Sequence, residues 1–144
     1  MNTNKILVGG IVGGITFFLL GWLIYGILLA GYFAANGNPS IMRPMDQMIW
    51  WALILSNLMW GFLLAVVFNW SNTTGWIAGA KKGAIFGLLS SLAIDLGYYS
   101  MSTMYSNIAP ILVDTIATVV MVAIGGIVIG WAMSKVRKES LSMS

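Results

Sequence analysis

Apolar positions run almost unbroken through four stretches, Ile6 to Tyr32, Met48 to Asn69, Gly79 to Met101 and Ile108 to Met133, and polar positions collect between them. Each stretch reaches the about 20 residues that a helix needs to cross ~30 Å of hydrocarbon. The pattern predicts an all-α integral membrane protein: four transmembrane helices near 6-32, 45-69, 75-101 and 108-133, in an antiparallel up-down bundle with glycine-rich packing faces. The whole chain, 1-144, reads as a single four-helix transmembrane domain whose residues 134-144 form a basic cytoplasmic tail, "SKVRKESLSMS". The first stretch is too long for the apolar core of a secretory signal, and no small-residue cleavage pattern follows it, so it is expected to stay as a helix.

Composition sharpens this picture. With 59% hydrophobic and 8% charged residues, little chain is left over for a soluble catalytic or nucleic-acid-binding domain. The lipid bilayer is the expected surrounding, and nucleic acid is not an expected partner. Cysteine and histidine are absent, which removes disulfides, thiolate chemistry, the usual zinc sites and bis-histidine haem ligation. No metal, cofactor or catalytic residue is expected, and the chain is not expected to be an enzyme.

Charge bears on orientation. Lys5, Lys81, Lys82, Lys135, Arg137 and Lys138 share one side of the predicted bundle, and Arg43 falls on the other. The positive-inside rule then places both termini in the cytoplasm of a multi-pass protein, as in the inner membrane of a bacterium-like cell. Trp70, Trp76 and Trp131 at one level, and Tyr32, Trp50, Trp51, Tyr98, Tyr99 and Tyr105 at the other, match two interfacial belts. In the connections, Pro44 suits the first turn of helix 2, Ser71, Asn72 or Thr73 can cap helix 3, and Ser106 or Asn107 can cap helix 4.

Helix 3 carries small residues at steps of four, Gly75, Gly79, Gly83, Gly87 and Ser91, and the same step reaches Asp95 and Tyr99. Helix 4 answers with Asp114, Thr118, Val122, Gly126 and Gly130. Such GxxxG-like spacing lets helix backbones approach closely in lipid, where packing drives association. In an antiparallel hairpin the two rows meet at matched depth, Gly79 with Gly130, Gly83 with Gly126, Gly87 with Val122, Ser91 with Thr118, and Asp95 with Asp114. Helix 1 adds Gly9, Gly10, Gly13 and Gly14, which suit either an internal face or a face for self-association.

An aspartate near a helix centre costs roughly 2.5–3.5 kcal/mol on insertion scales, while an interhelical hydrogen bond in a membrane returns about 0.6 kcal/mol on average. Two close carboxyls also resist double ionisation, so the pair is expected to share a proton. The candidate ion or proton site is therefore Asp95 and Asp114, with Ser91, Thr118 and Asn57 as hydrogen-bonding neighbours. The structural reading stands beside it: Asp95 as a donor to Ser91, Thr118 or Asn57 that fixes helix register, and Asp114 as a hydrated anion one turn past Pro110.

The segments "FFLLGWLIYGILL" and "LVDTIATVVMVAIGGIVIGW" resemble a family of small uncharacterised bacterial four-helix membrane proteins, classed as a domain of unknown function. In that resemblance Asp114 matches the family's helix-4 aspartate, and no activity is implied. Small multidrug resistance transporters carry their essential acid in helix 1, where this chain has none. Intramembrane aspartyl proteases need a Gly-x-Gly-Asp pattern, whereas Asp95 follows "LAI" and Asp114 follows "ILV". The sequence thus points to a transporter, proton- or cation-linked through the Asp95/Asp114 pair. The alternative is an accessory or scaffolding protein that self-associates or binds a larger membrane partner through its glycine stripes.

Overall fold

The computed structural model describes residues 1–143, except for the side chains of residues 137–140. The chain is an all-α membrane protein. Among the described residues, four helical segments are long and apolar enough to span a bilayer: Thr3–Leu28, Trp50–Trp70, Trp76–Met101 and Ala109–Val136. In chain order, α1 (Thr3–Gly21) passes into a π-helical segment, Trp22–Leu28, and then breaks before α2 (Ala30–Asn36). Two 3-10 turns lead to α3 (Trp50–Trp70), followed by α4 (Trp76–Met101) and α5 (Ala109–Ser142).

The four spanning helices run up and down, but they do not close into a ring. α1 packs against α3 and α5, α5 packs against α4, and α3 and α4 scarcely touch although they are consecutive. Glycine explains the order α3, α1, α5, α4. On α1, a side chain at Gly10 would strike Phe62 and one at Gly14 would strike Leu58, both on α3, whereas Gly13 lies against Ile129 of α5. Between α4 and α5 the backbones themselves meet. A Cβ on Gly79 would run into the Gly126 carbonyl, and one on Gly83 into the Val122 carbonyl. The same test places Gly79 beside the Gly130 Cα at 3.4 Å and Gly83 beside the Gly126 Cα at 3.3 Å. Both glycine faces are thus filled from within the chain, and a contact with another protein has to use other surfaces.

Between these backbones the core is Phe17, Leu64, Ala65, Phe68, Val122, Ile129 and Met133. Gly9, Gly13, Phe17 and Tyr25 of the first segment all meet α5, through Met133, Ile129, Gly125 and Thr118. An ordinary helix drifts by about 40° over each four-residue step. The wider hydrogen bonding of the π segment, seen where Leu29 N–H donates to the Ile24 carbonyl at 2.8 Å, slows that drift and keeps Tyr25 on the face toward α5.

Helix ends differ from the sequence expectation in several places. Pro44 starts a 3-10 turn, Met45–Gln47, that ends in extended backbone at Met48, so α3 begins at Trp50. Ser71, Asn72 and Thr73 close α3 instead of capping α4. Thr73 N–H donates to the Phe68 carbonyl at 2.8 Å and Asn72 N–H to Asn69 at 3.3 Å, with Asn72 at φ 50, which is a Schellman closure. The N-cap of α4 is Gly75, whose φ of 83 favours glycine. Asn107 does serve α5, accepting from Ala109 N–H at 2.9 Å. Residues 134–142 continue α5 as helix, and the side chains of Arg137 and Lys138 lie outside the described residues.

The packing yields a contrast. Gly126→Ala forces two backbones apart and is expected to cost about 1–3 kcal/mol. Gly97, whose Cβ would meet nothing within 4 Å, is expected to tolerate alanine and gain up to about 1 kcal/mol from helix propensity. Thermal unfolding in detergent checks both.

Candidate functional site

Once the glycine rows fix the α4/α5 register, the polar row beyond them follows. Asp95 is buried, with 4% of its surface exposed. Its Oδ1 accepts a hydrogen bond from the Tyr105 hydroxyl at 3.0 Å, while its Oδ2 is buried without a hydrogen-bond partner among the described residues. Asp114 lies near enough to interact with it electrostatically. Asp114 Oδ2 accepts from the Thr118 hydroxyl at 3.4 Å, and Thr118 Oγ1 is 3.0 Å from the Tyr25 hydroxyl. With Thr118 donating to Asp114, Tyr25 donates to Thr118. Each acid therefore has a phenol behind it, Tyr105 directly and Tyr25 through a threonine.

The remaining expected neighbours are close but do not bond to the acids. Ser91 is buried and donates to the Leu88 carbonyl at 3.3 Å; the Asn57 amide donates to the Leu53 carbonyl at 2.8 Å. Both line the same cavity as Asp95 and Asp114. The reading of Asp95 as a donor to Ser91, Thr118 or Asn57 is replaced by one in which it accepts from Tyr105. Tyr105 also moves out of the interfacial belt: it is 8% exposed, and burial, followed by the adjacent Asp95 charge, raises its phenol above the ordinary value. It stays a donor throughout the physiological range. Tyr25 could have been noticed as a phenol inside an apolar run, but the turn holding Tyr105 has no periodicity to reveal it.

Two cavities flank this site. One, about 180 Å³, lies in the gap between α3 and α4, with Trp60 and Phe86 edge to face across it at 6.4 Å. The second, about 350 Å³, lies where α2 and the following loop pack on the α4/α5 turn, and is lined by Tyr25, Phe33, Asn38 and Tyr105. Asp114 lines both. Asn38 N–H donating to the Met104 carbonyl at 3.1 Å, and the Ser106 hydroxyl donating to Asn36 at 3.2 Å, hold that loop over the second cavity. No group of three or more acidic, histidine or cysteine side chains that could hold a metal occurs among the described residues.

No protein-family model matches the chain, and no solved structure matches it. A stretch of it is similar to a known subunit. The A-type ATP synthase subunit I of Pyrococcus horikoshii is 39% identical over 83 residues, a match that covers 50% of this chain and 12% of that protein. Together with the four apolar helices, this likeness fits a multi-pass membrane protein.

The Tyr105–Asp95 bond can be weighed directly. Tyr105→Phe leaves a second buried carboxyl oxygen without a donor and is expected to cost about 1–3 kcal/mol. In a double-mutant cycle with Asp95→Val most of that cost should vanish, as read from thermal or denaturant unfolding.

Proposed function

We propose that this protein conducts protons or small cations through the Asp95/Asp114 pair as a non-enzymatic, multi-pass inner-membrane protein with both termini in the cytoplasm. The observation that carries this reading is the position of Asp114 in the walls of both cavities. A carboxyl at such a junction can take a proton from the loop-side cavity and exchange it with Asp95 at the same depth. A buried acid and a half-buried one kept at one depth, each backed by a phenol, suit a site that gains and loses charge better than they suit a packing device.

Phe17 and Leu64 line the groove, and beyond them Phe68, Ile129 and Met133 fill the bundle toward the termini. Conduction across that apolar block requires a second conformation. α3 is the element suited to move, because it scarcely touches α4 and the groove lies between them. By the charge asymmetry, the loop-side cavity faces away from the cytoplasm.

A second reading has its own support. The likeness to a subunit of an ATP synthase favours membership of a larger membrane complex, in which this chain would be an accessory part. The two readings are compatible, since a proton-handling subunit can act inside an assembly. Because the glycine faces are filled internally, the partner would be met through other helix faces.

Liposomes with a trapped pH dye and an imposed potential separate the possibilities. Wild-type protein should acidify the lumen, Asp95→Asn should fall to the protein-free rate, Asp114→Asn should slow it, and Asp46→Asn, in the exposed 3-10 turn, should match wild type. Equal flux from Asp95→Asn and wild type would end the transport reading. A chain that purifies from native membranes as a monomer with nothing attached would count against the complex.

A further inference from the structure

The groove between α3 and α4 is built from two kinds of surface that seldom share so small a space. Its lining combines aromatic and soft side chains, Trp60, Phe86 and Met121, with the carboxyls of Asp95 and Asp114. Asp95 Oδ2 is fully buried and has no hydrogen-bond partner among the described residues. Asp114 is within hydrogen-bonding reach of Asp95, but two carboxyls cannot satisfy each other without a proton or a cation between them, and a cation entering the groove would fill that role. Most of the lining is apolar, which suits a cation that carries apolar surface of its own better than a bare metal ion.

We infer that this groove binds a small organic ammonium ion, one ring or its equivalent in size, with its charge on Asp95 and Asp114 and its apolar part against Trp60 and Phe86. The inference rests on the proposed reading of the two acids as an ionisable site and names the ligand class that the same site accepts. Volume sets the size. A cavity of ~150 Å³ lined by apolar side chains admits benzene, and this one is about 180 Å³. Quaternary ammonium ions are held by aromatic faces when water is excluded, and Trp is the strongest such face. Trp60 is 39% exposed and Ile94 44% exposed, so the groove opens sideways between the helices, where an amphiphilic cation partitioned into the bilayer can enter.

The test uses the intact protein in nanodiscs and benzyltrimethylammonium as the probe, with binding followed by equilibrium dialysis against protein-free discs. Wild type should bind saturably. Asp95→Asn should weaken binding by roughly tenfold or more, as the loss of a charge pair in a low-dielectric site requires. Trp60→Leu, at a half-exposed position that leaves the core intact, should weaken it by roughly three- to tenfold while unfolding near the wild-type temperature. Tetramethylammonium should bind more weakly, and a two-ring ammonium should not bind.

The inference is overturned by no saturable binding to wild type, by binding that neither variant changes, or by sodium protecting the protein while no ammonium does. If no ammonium binds but Asp95→Asn still abolishes proton flux, the ligand assignment fails and the proton reading stands. If benzyltrimethylammonium binds through Asp95 and Trp60 while no variant alters proton flux, the site is an ammonium site and the transport reading fails.

Discussion

The backbone contact between α4 and α5 governs this structure. Gly79 and Gly83 on one helix, and Gly126 and Gly130 on the other, let the two main chains touch where any side chain would intrude. Contact at that range permits little sliding, because displacement by one residue would bring Ile127 or Ile129 against a backbone that has no room for it. Asp95 and Asp114 are carried on the same two rows, so their shared depth follows from glycine packing many residues away. The Gly75 N–H donating to the Gly130 carbonyl at 3.2 Å pins the other end of the row.

A second consequence is the gap. α1 holds α3 through Gly10, Gly14 and Gly61, and holds α5 through Gly13 and Gly125, so α1 and α5 form the middle of the arrangement with α3 and α4 on its flanks. The space left between the flanks is floored by Phe17 and Val122 and walled by Trp60 and Phe86. It exposes Asp95 to a cavity without exposing it to the loop side, while Asp114 faces both. The first segment contributes at a distance: its π-helical turn brings Tyr25 to Thr118, and Thr118 to Asp114.

Much of this was legible in the chain. The four spans, the meeting of Gly79 with Gly130 and of Gly83 with Gly126, and the common depth of the acids all follow from residue spacing, because spacing by four is a property of one helix and antiparallel pairing sets the other. What could not be read was anything set by contacts between distant segments. Tyr105 sits in a turn and reaches Asp95 only because that turn folds inward under the loop after α2. Asn57 and Ser91 face the groove yet satisfy their own helix carbonyls, a choice that local pattern does not express. The separation of α3 from α4 was hidden too, since consecutive helices ordinarily pack together and only the glycines of α1 show why these do not. Asn72, which reads as a cap for the following helix, instead ends the preceding one in a left-handed turn.

Proton handling by this pair requires that Asp95 and Asp114 act as one protonatable unit. Infrared spectroscopy of the carboxyl C=O band tests it most directly, with the protein titrated in lipid and each acid replaced in turn by asparagine. Wild type is expected to show a band lost in Asp95→Asn, and Asp114→Asn to move the titration of the remaining Asp95 band, because interacting acids titrate as a pair. An Asp95 band whose titration is the same with and without Asp114 would contradict the account and leave two independent carboxyls placed at one depth by packing alone.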